Sequence, residues 1–138
     1  MSEINNMMVL DQEPPEELKN KIEAAGLKPT PDTCYAYGRF LYNPSGNEIQ
    51  VNLKIHEEVH MIRQNPDPDE WWDKYLKDPV FRLEEEILAY QKQYKYAKMM
   101  IKDRNELFKF LNRLANDLSS PMYGSIISKT EALKKIRE

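Results

Sequence analysis

The sequence predicts an α+β fold, mostly helical, with a small antiparallel β-hairpin or sheet. Three observations carry that expectation. Apolar residues recur at helical spacing from Pro79 to about Ile101, proline and glycine cut much of the remaining chain into helix-length pieces, and one aromatic-rich stretch, Cys34 to Tyr42, runs into strong turn residues. The chain has 138 residues, 41% hydrophobic and 31% charged, which is enough for one core and too little for two. We read it as a single domain over 1–138. Residues 1–32 are an N-terminal helix and connector, 33–101 hold the hairpin and the two helices that bear the site, and 102–138 are C-terminal helices.

In chain order, Pro14 and Pro15 suit the first turn of a helix that continues from Glu16 to Ala25 and stops at Gly26. Pro29 and Pro31 make Leu27 to Thr33 a connector. Cys34 to Tyr42, the turn Asn43-Pro44-Ser45-Gly46-Asn47 and the alternation from Glu48 to Val51 predict a hairpin. Ile49, Val51, Leu53 and Ile55 alternate like a strand, yet Ile55, Val59 and Ile62 share a helical face; the spacing predicts a helix starting near Asn52, its N-cap, and ending by Asn65. Asp67 or Asp69 caps a short helix with Trp71, Trp72 and Tyr75. Asp78 and Pro79 open the long amphipathic helix whose apolar face is Leu83, Ile87, Tyr90, Tyr94 and Ala97. Asp103 caps a helix bearing Leu107, Phe110, Leu111 and Leu114, Ser119-Ser120-Pro121 interrupts, and Thr130 to Arg137 forms a last charged helix.

The net charge of −3 offers no general attraction to a polyanion, so nucleic acid is not the expected partner. No stretch approaches the apolar length of a membrane span, and the N-terminus lacks the pattern of a secretory leader, so the expected location is cytoplasmic. Cys34 is the only cysteine, which excludes an intrachain disulfide and a cage of thiolates.

The chain holds 2 histidines, and both fall in His56-Glu57-Glu58-Val59-His60, the H-E-x-x-H pattern on a predicted helix. Residues four apart on a helix lie roughly 6 Å apart on one face, so two imidazoles so placed can converge on one ion. Zn2+ held by three protein ligands with one position open lowers the pKa of water to about 7, and a glutamate directly after the first histidine is placed to take that water's proton. Glu57 is that residue. The third ligand must be a carboxylate downstream, and Glu84, Glu85 and Glu86 are the candidates. Periodicity puts Glu86 at the border of the buried face defined by Leu83, Ile87 and Tyr90.

The order His56–Gln64, Trp71-Trp72, Tyr75-Leu76, Asp78, Phe81-Arg82 and Glu86-Ile87-Leu88-Ala89-Tyr90 resembles the small phage-type and bacterial zincin-like metallopeptidases. The likeness runs firmly from the Asn43-Pro44-Ser45-Gly46 turn to Tyr94 and loosely over Leu118 to Gly124. It implies a zincin-like fold, and a glutamate followed three residues later by alanine resembles the gluzincin third-ligand pattern. The implied ligands are therefore His56, His60 and Glu86, with Glu85 as the alternative, and the implied activity is hydrolysis of a peptide or protein substrate with Glu57 as base. Where many gluzincins place an aspartate after that alanine, this chain has Tyr90, whose hydroxyl would have to serve a histidine instead. A zinc-binding or interaction protein of this fold that cleaves nothing is the competing expectation.

Trp71, Trp72 and Tyr75 at helical spacing are expected in the core, although they could line a cleft. Tyr123, before Gly124 in a helix break, is a candidate to stabilise charge on a reacting oxygen. The stretch Cys34 to Tyr42 is expected as scaffold rather than as a rail for substrate, and Cys34 has no spare histidine to activate it. Lys92, Lys95, Lys98, Lys102, Arg104 and Lys109 are expected to form a solvated face.

Overall fold

The computed structural model describes residues 9–11 and 13–138. The chain is α+β: β1 (Val9–Asp11), α1 (Glu16–Ala24), β2 (Tyr35–Tyr37), β3 (Phe40–Tyr42), α2 (Val51–Gln64), α3 (Pro68–Lys77), α4 (Pro79–Met100), α5 (Arg104–Leu118), a single 3-10 turn (Pro121–Tyr123) and α6 (Lys129–Arg137). Strand order is β1-β3-β2, with β2 antiparallel to β3 and β1 parallel to it. The part of the N-terminal region at residues 1–8 and 12 lies outside the described residues.

The helix boundaries follow from capping. Asp67 Oδ1 accepts from the Glu70 N–H at 3.1 Å, Asp78 Oδ1 from those of Val80 and Phe81, and Asp103 Oδ1 from that of Asn105, while Pro68 and Pro79 occupy first helical positions where no amide is missed. Ser128, two residues before the expected first residue Thr130, caps α6 through the Glu131 N–H, so the helix starts one residue earlier, at Lys129.

Two expectations are corrected. The hairpin turns at Gly38-Arg39, not at Asn43–Asn47, and pairs Tyr37 with Phe40; Glu48 to Gln50 form no strand. Gly38 sits at φ +61, which lets a two-residue turn close, and its N–H donates to Gln64 Oε1. The Asn43 side chain bonds the Asn47 carbonyl at 2.6 Å and folds that stretch onto itself. The helix α2 begins at Val51 with Gln50 at its cap, so Asn52 lies inside the first turn, where its side chain is used in a tertiary bond to Gln93.

Three apolar clusters surround the site. Tyr90 and Ala97 of α4 pack with Phe110, Leu111, Leu114, Ala115 and Leu118 of α5 and Ala132 and Ile136 of α6. Leu18, Ile22 and Leu27 pack on Trp71, Trp72 and Tyr75, and Met61 of α2 lies under the sheet against Ala36 and Leu41. α2 and α4 pack closely between these clusters, and the polar residues of both helices meet there. No helix among the described residues is long and apolar enough to cross a membrane.

Candidate metal centre

His56 and His60 lie one turn apart on α2, and Glu86 faces them from the middle of α4. All three are buried, at 2%, 4% and 3% exposure. His56 Nε2 is 3.1 Å from Glu86 Oε1, His60 Nε2 is 3.0 Å from Glu86 Oε2, and the three ligand atoms lie within 4.8 Å of one another. Bonds of about 2.0–2.1 Å to a tetrahedral cation separate neighbouring ligand atoms by about 3.3 Å, close to the spacing here. The group could therefore hold a metal ion.

His60 tests that fit. Both of its ring nitrogens are buried without a hydrogen-bond partner, and its 3.0 Å approach to Glu86 does not have hydrogen-bonding direction. Orphaned buried nitrogens cost free energy in a folded protein, and an acceptor nitrogen aimed at a carboxylate with nothing between them is what a cation would resolve. Two imidazoles and one carboxylate also form a donor set suited to a divalent ion.

The surroundings orient these groups. Gln93 Oε1 lies 2.9 Å from His56 Nδ1, and Gln93 Nε2 donates to Asn52 Oδ1 at 2.7 Å. With its amide fixed by Asn52, Gln93 accepts from Nδ1–H and leaves the Nε2 lone pair facing Glu86. Tyr75 Oη donates to Glu86 Oε2 at 2.6 Å. Burial pushes the Glu86 carboxyl up, but His60 and His56 together outweigh it and hold it below the usual carboxylate range. Burial first, and then Glu86, raise the hydroxyls of Tyr75, Tyr90 and Tyr123 well above the ordinary phenol, so all three stay neutral donors.

No family model matches the chain. Nor does any curated protein or solved structure, so the chemistry has to be argued from the residues themselves.

Among the three glutamates considered for the third ligand, Glu86 is the one that meets the histidines. Glu84 is exposed. Glu85 is buried but engaged elsewhere, accepting from Arg63 Nε at 2.8 Å and Trp71 Nε1 at 2.7 Å. Glu57 is 6% exposed, has no hydrogen-bond partner among the described residues, and lines a small cavity of about 50 Å³ shared with His60 and Glu86. Burial, with Glu86 adding and His56 opposing, pushes its carboxyl up to about 8.

Tyr90 departs from its expected role. Its ring meets His56 edge-on at 4.4 Å, but its hydroxyl passes the imidazole and bonds the Tyr123 hydroxyl at 2.7 Å; the Nδ1 it would have served belongs to Gln93. Tyr123 is half-buried and lines the cavity. Buried Arg82 holds the backbone on both sides of it, through Nε to the Tyr123 carbonyl at 2.9 Å and Nη1 to the Tyr75 carbonyl at 2.7 Å.

Trp71, Trp72 and Tyr75 are in the core as expected, and the two indoles also form a wall of the cavity. Tyr75, Gln93 and Asn52 are site residues that sequence reasoning missed. Nothing local marks a tyrosine or an amide as the partner of a ligand 11 or 37 positions away. Cys34 lies at the cavity rim, where burial, Glu57 and Asp32 push its thiol up to about 12, far from a nucleophile. The lysines and arginine from Lys92 to Lys109 are exposed.

Proposed function

We propose that the protein is a zinc-dependent, zincin-like metallopeptidase in which His56, His60 and Glu86 hold Zn2+ and Glu57 moves the proton. The observation that carries this reading is the pairing of a ligand triad that includes an unpartnered histidine with an unpartnered carboxylate in the same cavity. When bound, the cation supplies Lewis acidity, lowering the pKa of water and polarising a carbonyl.

The rest is work for the chain. Glu57, without a hydrogen-bond partner in the cavity it shares with His60 and Glu86, would take a proton from the attacking water and return it to the leaving amide nitrogen. Tyr75 holds Glu86 by one oxygen, and Gln93 holds His56 by Nδ1, so both ligands are oriented before anything binds. Tyr123, which lines the cavity and is tied to Tyr90, would be the donor to negative charge developing on the substrate oxygen. The small volume of the cavity favours one second reading, in which zinc only clamps α2 to α4 and nothing is cleaved.

Metal analysis of the purified protein beside His60→Ala and Glu86→Ala, with a peptide-cleavage screen on wild type and Glu57→Gln, tests both. One zinc per chain, lost in the first two variants, with cleavage abolished in Glu57→Gln, supports the peptidase. Zinc without cleavage in the wild type supports the clamp, and wild type without zinc defeats both.

A further inference from the structure

The cavity beside Glu57 is partly covered by the protein's own chain. Ile22, Leu27 and Pro29 stand at its edge, and Ile22 and Leu27, with Leu18, are buried against Trp71, Trp72 and Tyr75. The indoles do not depend on this cover for their placement. Trp71 Nε1 donates to Glu85 at 2.7 Å and Trp72 Nε1 to the Ala36 carbonyl at 3.0 Å, so buried acceptors hold each ring by its polar edge. An apolar wall held in place without its occupant is a preformed surface for an apolar ligand.

The cover is also tied to the rest of the molecule by little besides apolar contact. Asp11 on β1 and Tyr35 on β2 flank Tyr42 of β3 from opposite sides, so the ends of the segment between them stand about two strand spacings, roughly 10 Å, apart. Displacing residues 13–33 therefore does not require either strand pairing to break. Among the described residues, the segment's polar ties to the rest of the molecule are few and weakly placed: the Lys28 N–H to the Pro121 carbonyl at 3.3 Å, the Thr33 hydroxyl to Met122 Sδ at 3.4 Å, and the exposed pair Lys21 and Asp73 at 3.4 Å. What holds the cover is mainly the burial of Leu18, Ile22 and Leu27.

We propose that residues 13–33 stand in for the substrate, with Ile22 and Leu27 filling a subsite on Trp71 and Trp72 that receives an aliphatic side chain of the peptide. A cavity of about 50 Å³ has room for a cation and a few waters, and a peptide side chain seated on the indole wall would take the place of Ile22 and Leu27. Replacing Ile22 and Leu27 by a leucine-like side chain exchanges one apolar burial for another, which offsets the cost of opening. A glycine or a polar side chain offers no such exchange. The segment thus covers part of the site and, through what it takes to displace it, selects aliphatic residues. That this side chain belongs to a cleaved peptide rests on the metallopeptidase reading; the subsite itself does not.

The 2 tryptophans of the chain are both in the wall, so their emission reports on it alone. The full chain is titrated with N-acetyl-leucinamide and N-acetyl-glycinamide as wild type, as Ile22→Ala, and as Lys21→Ala with Thr33→Val, which cuts surface ties and leaves the apolar face intact. Leu111→Ala, which weakens a different cluster, is the control. Apparent affinity scales with the open fraction, so Ile22→Ala should bind the leucine amide about tenfold more tightly than wild type and the variant without the surface ties should gain by a smaller factor, with no such gain for the glycine amide or in the control. Equal response to the two amides, or an equal gain in Leu111→Ala, overturns the proposal. Zinc measured on the same samples separates the two readings. A zinc-free protein that keeps the leucine preference defeats the metallopeptidase and retains the subsite, and a zinc-bearing protein without that preference does the reverse.

Discussion

One side of α4 packs Ala97 and part of Tyr90 into the cluster of Phe110, Leu111, Leu114, Leu118 and Ile136, while Arg82, Glu85, Glu86 and Gln93 of the same helix are buried with polar partners. The nine buried polar or charged side chains among the described residues all lie on α2 or α4. The apolar region contributes stability at about 25 cal/mol per Å² of area removed from water, whereas each buried charge costs several kcal/mol unless it is partnered. A chain under selection for stability alone would fill the seam between α2 and α4 as it fills the region around Leu111. It holds carboxylates and one unpartnered imidazole instead, a cost to stability that the proposed metal site would account for.

The sharpest way to break this contrast is Glu57→Gln. On the metallopeptidase reading it lowers turnover about 10²- to 10⁴-fold while zinc content and melting temperature stay near those of wild type. A measured activity that survives the change would remove Glu57 from the chemistry. Next comes metal. Zinc at about 1,000 times its dissociation constant should add about 4 kcal/mol to unfolding free energy in denaturant titrations, and nothing in His60→Ala. Leu111→Ala probes the other region. A cost of about 2–5 kcal/mol with zinc affinity unchanged is expected, and a coupled loss of zinc would show that the two regions are not independent. Gln93→Leu should weaken zinc about 10- to 100-fold by releasing Nδ1 of His56, as read by competition with a chelating dye. The smallest effect belongs to Cys34→Ser, which should leave turnover unaltered because a thiol pushed up to about 12 stays protonated at neutral pH.

Much of the helical layout was legible because its signals are local. Asp67, Asp78 and Asp103 cap the helices they precede in sequence, and Pro66, Pro68 and Pro79 mark boundaries whatever surrounds them. The hairpin was misplaced because Asn43–Asn47 and Gly38-Arg39 both carry turn chemistry, and the choice between them depends on the Gly38 bond to Gln64, 26 residues away. The spacing of His56 and His60 put both on one face in advance. Glu85 and Glu86 could not be told apart in that way, since neighbours on a helix differ by about 100° and both can be buried on a wide face.

The contents of the chain thus dictated the helices, the pairing of the histidines with Glu57, and the absence of a thiolate site, each a matter of residue type and short spacing. The fold settled what depends on distant partners. Arg63 and Trp71 claim Glu85 and leave Glu86 to meet the histidines, Gln93 rather than Tyr90 serves His56, and Ile22, Leu27, Pro29 and Thr33 line the cavity. The physical reason is range: capping and helical facing act within a turn or two of chain, whereas the partner of a buried carboxylate or imidazole is set by which helices pack together.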